Sequence, residues 1–270
     1  MTSHDVVAAV RRRFKTKAVG HTGTLDPFAT GLLVVVLGGA TRLARFVEAE
    51  RKSYFATARL GFATTTDDAT GEPLGPVSAG EWPEREAVEA ALGRFVGRIE
   101  QRPPAYSAKK VDGVRSYALA RQGRAVDLKV AAVSVDRVTV VGYDPPLVSW
   151  RATVGPGTYL RAMARDLGDA LGTGGHLVAL RRESVGSFLV AAGHPLEGLT
   201  GAEPLIDPLA LLGSMIRIPV SADDAVRLRH GQRVGRALEP GPAALVLDGR
   251  LVAIGEAADG AWQPVVVLTA

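Results

Sequence analysis

Cysteine is absent from this chain of 270 residues. Disulfide bonds, thiolate metal sites and cysteine nucleophiles are therefore excluded, and the composition suits a reducing compartment such as the cytoplasm, where we expect the protein to act. No apolar run approaches the roughly 20 residues that span a bilayer, and no apolar stretch follows a basic start at the N-terminus. We therefore expect a protein that is neither exported nor embedded in a membrane.

Motifs for metal and nucleotide binding are also missing. The five histidines show no metal-ligand spacing such as HExxH, which argues against a metal hydrolase. The phosphate-binding pattern GxxxxGKS/T does not occur, and the glycine-rich residues 172–175 lack its lysine, which argues against a nucleotide-driven enzyme. The sequence thus gives no motif for a metal hydrolase or for a nucleotide-driven enzyme.

The composition is typical of a globular protein with more than one core. Hydrophobic residues make up 47% of the chain and charged residues 22%, which allows a large apolar core. The net charge of +4 is modest but clustered: residues 11–17 contain five basic side chains and no acid, and residues 94–137 contain ten Lys or Arg against four Asp or Glu. Such runs are also common on solvated helix faces, so the charge alone does not establish nucleic-acid binding.

Local patterns predict the elements of the N-terminal third. Thr2 as N-cap and Asp5 three residues later fit a capping box, so a helix is predicted to begin the chain. Residues 32–37 form an apolar, β-prone run that predicts a buried strand, and residues 53–60 predict another. Residues 64–80 are rich in Thr, Asp, Gly and Pro and predict an exposed loop.

Helices and strands are predicted to alternate through the middle of the chain. Helices are expected from Pro83 to about Gly97, over residues 114–121 and over residues 160–171, and strands over residues 138–141 and 147–154.

Short strands dominate after about Leu212. Asp248 and Gly249 separate two apolar runs and predict a hairpin, because both residue types tolerate positive φ. We therefore expect two domains, residues 1–212 and a small β-rich module of residues 213–270 that packs against its neighbour.

The most unusual segment is GHTGTLDPFATGLL, residues 20–33. Its three glycines allow close backbone approach, and the proline after Asp26 restricts the chain and removes an amide donor. Asp-Pro alone is a common turn signal. The apolar residues Leu25, Phe28, Leu32 and Leu33 around Asp26 are unlike an ordinary surface turn and predict a partly buried carboxylate.

This segment resembles the catalytic motif GHxGxLDPxATGxL of the bacterial tRNA pseudouridine-55 synthases of the TruB type. Three further stretches agree in order: SYFATARLG with TDDATGE at residues 53–72, RPPAYSAKKVDGVRSYALARQG at residues 102–123, and GTYLRAMARDLG at residues 157–168. The resemblance covers residues 2 to about 188. The Lys-Pro-x-Gly that normally precedes the first helix in the family does not occur here, so either that lysine is missing or the chain starts further upstream.

The resemblance implies roles for seven residues. Asp26 is implied to be the catalytic carboxylate, Tyr54 the aromatic that packs against the target base and serves in proton removal, and Arg161 the partner of Asp26. His21 is implied to stack near the flipped nucleotide, and Asp68, Lys110 and Tyr159 to support the site or contact RNA. Without the motif, structural interpretations would be favoured. Tyr54 and Tyr159 would then be core aromatics, and Arg161 and Lys110 would be solvated surface charges.

The resemblance also implies a fold and an activity. We expect an α/β (α+β) protein with a mixed, largely antiparallel sheet flanked by helices, and a small PUA-like RNA-binding domain at the C-terminus. The expected reaction is isomerisation of uridine 55 in the T loop of tRNA, by a monomer that binds the T stem-loop and uses no cofactor. The main alternative is an RNA-binding module without activity, for which Asp26 would be dispensable.

Overall fold

The computed structural model describes residues 1–75, 77, 80–107, 110–111, 114–116, 128–213, 215–237 and 239–268. Five helices lie in these ranges: α1 (Ser3–Arg13), α2 (Ala44–Glu48), α3 (Arg85–Gly93), α4 (Leu160–Ala170) and α5 (Ala222–Arg229). Short 3₁₀ turns cover Gly38–Leu43, Val190–Ala192, Leu196–Gly198 and Pro208–Leu212. Within the described residues, no helix is long and apolar enough to cross a membrane.

A central sheet of seven strands organises the first two thirds of the chain. The strands are β2 (Thr30–Gly31), β4 (Lys52–Leu60), β7 (Gly97–Gln101), β10 (Ala131–Asp144), β11 (Leu147–Val154), β12 (Gly175–Val185) and β13 (Phe188–Leu189). Their main path runs β13-β12-β4-β11-β10-β7 with antiparallel pairing throughout, and β2 joins β12 in parallel. The mixed, largely antiparallel sheet that the resemblance implied is confirmed.

One face of this sheet carries the main core. Side chains alternate along β4 and β11, so that Ala56, Ala58, Trp150 and Ala152 are buried while their neighbours along the strand are more exposed. Helix α4 packs on this face through an apolar stripe at helical spacing, and α3 packs beside it. The beginning of α4 is thereby fixed beside β4.

The N-terminal segment lies at the edge of this core. Helix α1 begins with the expected capping box, in which the Thr2 side chain accepts from the Asp5 amide and Asp5 accepts from the Thr2 amide. Two short strands, β1 (Val19–His21) and β3 (Val35–Leu37), pair antiparallel and enclose the glycine-rich segment. The segment therefore begins and ends at the same pair of strands.

The C-terminal sheet has four strands in the order β14-β15-β16-β17. They are β14 (Ile216–Pro219), β15 (Pro242–Leu247), β16 (Arg250–Ala258) and β17 (Ala261–Val267). The hairpin expected at Asp248 and Gly249 joins β15 to β16, with positive φ at both residues. A second core, which contains Val36, Leu43 and Leu212 together with Ala244 and Ile254, connects this sheet to earlier parts of the chain.

The structure corrects several local expectations. The run at residues 32–37 forms a strand only from Val35, and Leu32 at its start bonds Arg182 of β12 instead. Helix α3 ends at Gly93, and Gly97 begins β7 rather than closing the helix. Of the helix expected at residues 114–121, Val114 and Arg115 form a strand, β9 (Val114–Arg115), with β8 (Lys110–Val111), and residues 117–121 lie outside the described ranges.

The expectation of an exposed loop over residues 64–80 is wrong for its first part. Residues Ala63–Thr64 form β5, paired with β6 (Pro73–Leu74), and Thr64, Asp67 and Asp68 are buried. The composition of this segment predicted that it is exposed to solvent. Asp67 and Asp68 each pair with an arginine on α4, which allows these acids to be buried.

Candidate active site

Asp26 lies on a short connection whose backbone is held at several points. The Leu25 amide donates to Ser3 Oγ at 2.9 Å, and the Ala29 amide donates to the carbonyl of Asp26 at 2.9 Å. Leu25, Phe28 and Ala29 pack against the main core. The Asp26 side chain is 29% exposed. The backbone around Asp26 is therefore held in place while its carboxylate remains accessible to solvent.

Arg161, in the first turn of α4, binds Asp26 through two nitrogens. Its Nε donates to Oδ2 at 2.9 Å and its Nη2 to Oδ1 at 2.8 Å. The guanidinium also donates to the carbonyls of Thr66 and Tyr106, and only 4% of the side chain is exposed. This bidentate geometry fixes the carboxylate in one orientation and compensates its charge.

Asp68 contacts Arg161 at Nη1, the guanidinium nitrogen that does not bind Asp26. Its Oδ2 lies 3.6 Å from Nη1 of Arg161. Its Oδ1 accepts from the Thr66 hydroxyl, the Thr70 hydroxyl and the Thr70 amide at 2.7, 2.6 and 3.0 Å. Asp68 is buried, and its carboxylate contacts both Arg161 and the turn at residues 66–70.

A second acid–arginine cluster lies one helical turn further along α4. Arg165 binds Asp67 at 2.7 Å and Asp166 at 2.8 Å, and it donates to the carbonyl of Arg102. Burial raises the pKa of Asp67, against the opposing effect of Arg165. The sequence analysis did not single out this cluster, although the i,i+4 spacing of the two arginines on α4 is a detectable signal.

Two tyrosines border the site. Tyr54 on β4 is buried, and Tyr159 immediately precedes α4. Burial raises the pKa of both phenols, and the nearby charge of Asp26 adds a smaller effect in the same direction. The Arg182 guanidinium opposes the rise at Tyr54. Both phenols are therefore neutral at neutral pH, and both lie within the electrostatic reach of Asp26.

Gln101 positions the start of α4. Its side-chain amide accepts from the Tyr159 amide at 2.8 Å and donates to the Tyr159 carbonyl at 3.1 Å. Because Gln101 is buried, this pair of bonds fixes the first turn of the helix and, with it, Arg161. No sequence pattern indicated Gln101, since a lone glutamine at the end of a strand carries no recognisable signal.

His21 ends β1 at the entrance to the segment. Its Nδ1 accepts from the Gly23 amide at 3.3 Å, and burial lowers the pKa of the ring, which favours the neutral form that can accept. The backbone of Lys110 lies in β8, and its side chain lies outside the described part of the structure. In the described ranges, no group of three or more His, Asp or Glu side chains is arranged to hold a metal ion.

Comparisons with known proteins cover almost the whole chain. The family model "TruB family pseudouridylate synthase (N terminal domain)" matches residues 11–160. The models "tRNA pseudouridylate synthase B C-terminal domain" and "tRNA Pseudouridine synthase II, C terminal" match residues 161–207 and 215–269.

Relatives named tRNA pseudouridine synthase B are similar over nearly their full length. The protein of Thermobifida fusca (strain YX) is 46% identical, with 98% of this chain and 94% of that protein covered. The protein of Geobacter sulfurreducens is 40% identical, with 97% and 92% covered.

Solved structures share the fold at lower identity. The chain superposes on the archaeal box H/ACA sRNP Nop10-Cbf5 complex with a TM-score of 0.73 at 22% identity, covering 99% of this chain and 82% of that one. A Cbf5-Nop10-Gar1 complex gives a TM-score of 0.71 at 23% identity, covering 100% and 81%. On the family model and the close relatives together, the chain belongs to the TruB family of pseudouridylate synthases.

Proposed function

We propose that this protein isomerises uridine 55 in the T loop of tRNA to pseudouridine, with Asp26 as the catalytic carboxylate. The observation that carries the proposal is the bidentate pair between Asp26 and Arg161 beside the buried Tyr54, in a chain of the TruB family. The relatives named tRNA pseudouridine synthase B support tRNA as the substrate.

The chemistry needs few groups. The bond from C1′ to N1 of the uridine must break, the uracil must turn, and C1′ must rejoin at C5, with no net redox change and no water consumed. A carboxylate can attack C1′ as a nucleophile, or it can assist removal of the 2′ proton to give a glycal. In this proposal Arg161 holds the Asp26 carboxylate in one orientation for either path.

A single carboxylate is sufficient if the detached uracil stays in the site. Glycoside hydrolases need two carboxyl groups because they protonate a leaving group or activate a water. Uracil leaves as a stabilised anion, and an apolar wall of Leu25, Phe28 and Tyr54 would exclude water from it. In this proposal Tyr54 packs against the base and takes part in removal of the C5 proton.

The target uridine must leave its stack before it can reach Asp26, at a cost of a few kcal/mol. His21, at the mouth of the segment, is proposed to stack near the vacated position, and Tyr159 and Lys110 to contact the RNA. Arg11, Arg12 and Arg13 are exposed in the last turn of α1 and form no ion pair with any described residue. Contacts between such free arginines and phosphates would offset the cost of flipping.

We further propose that residues 1–212 form the catalytic domain and residues 213–270 a PUA-like RNA-binding domain. The separate four-stranded sheet with α5 supports this division. The protein is proposed to act as a monomer in the cytoplasm.

Tritium release from tRNA labelled at C5 of uridine tests the catalytic assignment. Asp26→Asn is expected to abolish release while tRNA binding persists, and Asp144→Asn, which changes an exposed acid at the end of β10, is the matched control with full activity. Unchanged release by Asp26→Asn would exclude Asp26 as the catalytic group. A wild-type chain that binds tRNA and releases no tritium in metal-free buffer would favour the RNA-binding module instead.

A further inference from the structure

Arg182 on β12 is a buried arginine beside the site that forms no ion pair with any described residue. Only 1% of its surface is exposed, and its cross-strand neighbour on β4 is Tyr54. Burying a guanidinium is costly unless its donors are satisfied and its charge is compensated. The hydrogen bonds of the Arg182 side chain must therefore account for its burial.

Three hydrogen bonds of the Arg182 side chain go to the segment that carries Asp26, and the guanidinium also interacts with the neighbouring Tyr54 phenol. Nε donates to the carbonyl of Leu32 at 2.7 Å, Nη2 to that of Gly23 at 3.1 Å, and Nη1 to that of Thr24 at 3.5 Å. Two of these carbonyls precede Asp26 in the chain and one follows it. A single planar group therefore ties the entrance of the segment to its exit.

The main chain of Arg182 holds the same segment. The Leu32 amide donates to the Arg182 carbonyl at 2.9 Å, and Gly31 lies opposite Arg182 in the parallel pairing of β2 with β12. Gly31 has φ +101°, and a Cβ there would lie 2.2 Å from the Arg182 carbonyl oxygen. This approach is possible only for glycine.

We propose that Arg182 is a positioning residue that fixes the backbone of residues 23–32, so that Asp26 meets Arg161 and the substrate in one defined place. Arg161 orients the carboxylate, and Arg182 orients the chain that bears it. This inference rests on the proposed function, since the consequence of positioning is measured as pseudouridine formation.

The contacts predict that lysine cannot replace Arg182. The three bonds start from three different nitrogens, whereas lysine places all its donors on one. Arg182→Lys keeps the charge but releases at least one end of the segment. Misplacement of a reacting group by about 1 Å can reduce a rate on the order of 100-fold, and a loss of that size is expected here.

The test compares Arg182→Lys with Arg181→Lys, the adjacent and exposed arginine on the same strand. Single-turnover tritium release at saturating tRNA, the Kd for tRNA and hydrogen–deuterium exchange are measured for both. Arg182→Lys is expected to slow release about 100-fold with the Kd nearly unchanged, and to raise deuterium uptake in residues 20–33 but not in residues 242–247. Arg181→Lys is expected to match the wild type.

Three results would overturn the proposal. One is wild-type release by Arg182→Lys, and another is a proportional loss of rate and tRNA affinity. The third is failure of both Arg182→Lys and Arg182→Gln to yield protein that binds tRNA, which would make Arg182 a folding residue only. An inactive wild-type chain would instead contradict the proposed function, and the deuterium-exchange comparison would still test the positioning contact.

Discussion

Replacement of Arg161 by lysine perturbs the contact on which the proposed chemistry depends. Arginine binds both carboxylate oxygens of Asp26 and donates to two backbone carbonyls, those of Thr66 and Tyr106. A lysine ammonium is a point charge and cannot form the parallel pair of bonds. The positive charge remains beside Asp26, so the change removes the paired hydrogen bonds and keeps the charge compensation.

The expected loss follows from these contacts. A hydrogen bond to a charged group contributes about 1.5–3 kcal/mol, and about 1.4 kcal/mol corresponds to a tenfold change in rate. Loss of one of the two bonds to Asp26 should therefore slow the chemical step about 10- to 150-fold. The partly buried carbonyls of Thr66 and Tyr106 would lose this donor, which should also lower the free energy of unfolding by about 1 kcal/mol each.

Single-turnover tritium release at saturating tRNA measures the rate of this step without a contribution from binding. Arg85→Lys, which alters an exposed i,i+4 pair on α3, is a suitable control and should retain wild-type activity. An Arg161→Lys variant that reacts at the wild-type rate would show that the chemical step does not need the bidentate contact with Asp26. A variant that loses tRNA affinity in step with its rate would place Arg161 in binding rather than in the chemical step.

Three further outcomes are expected. Gly31→Ala should lower Tm by several degrees, because its Cβ would collide with the Arg182 carbonyl at positive φ, whereas Gly93→Ala, with open space around the added carbon, should not. Because burial raises the pKa of Tyr54, the rate should show no ionisation of this phenol between about pH 7 and 9; a wild-type break in that range that disappears in Tyr54→Phe would contradict this assignment. Replacing the three exposed arginines of residues 11–13 by alanine should reduce the slope of log Kd against log salt by about 2 to 3 if each contacts one phosphate. An unchanged slope would remove α1 from the RNA interface.

Several parts of the structure could be predicted from short stretches of sequence. The capping box at Thr2 and Asp5, the hairpin at Asp248 and Gly249, and the strand β11 all depend on residues within a few positions of each other. Local backbone preferences and side-chain periodicity decide such elements. The motif around Asp26 could also be recognised, because its glycines and proline lie close together in the chain.

The surroundings of Asp26 depend on contacts between distant residues. The pair with Arg161 spans 135 positions, and the bond from Arg182 to Gly23 spans 159. No periodicity indicates which of many arginines reaches a given carboxylate. The resemblance to a family suggested Arg161, but Arg182 and Gln101 were not foreseen by any argument.

The sequence by itself determined the local elements, the family and the acid at the centre of the motif, because each is encoded in neighbouring residues. Only the tertiary structure decided which polar groups are buried and what they bind. Asp67 and Asp68 belong to a segment with the composition of a surface loop, yet they lie inside because Arg165 and Arg161 on α4 supply their partners. The burial of a charge depends on the charge that meets it, and that meeting occurs only in the folded chain.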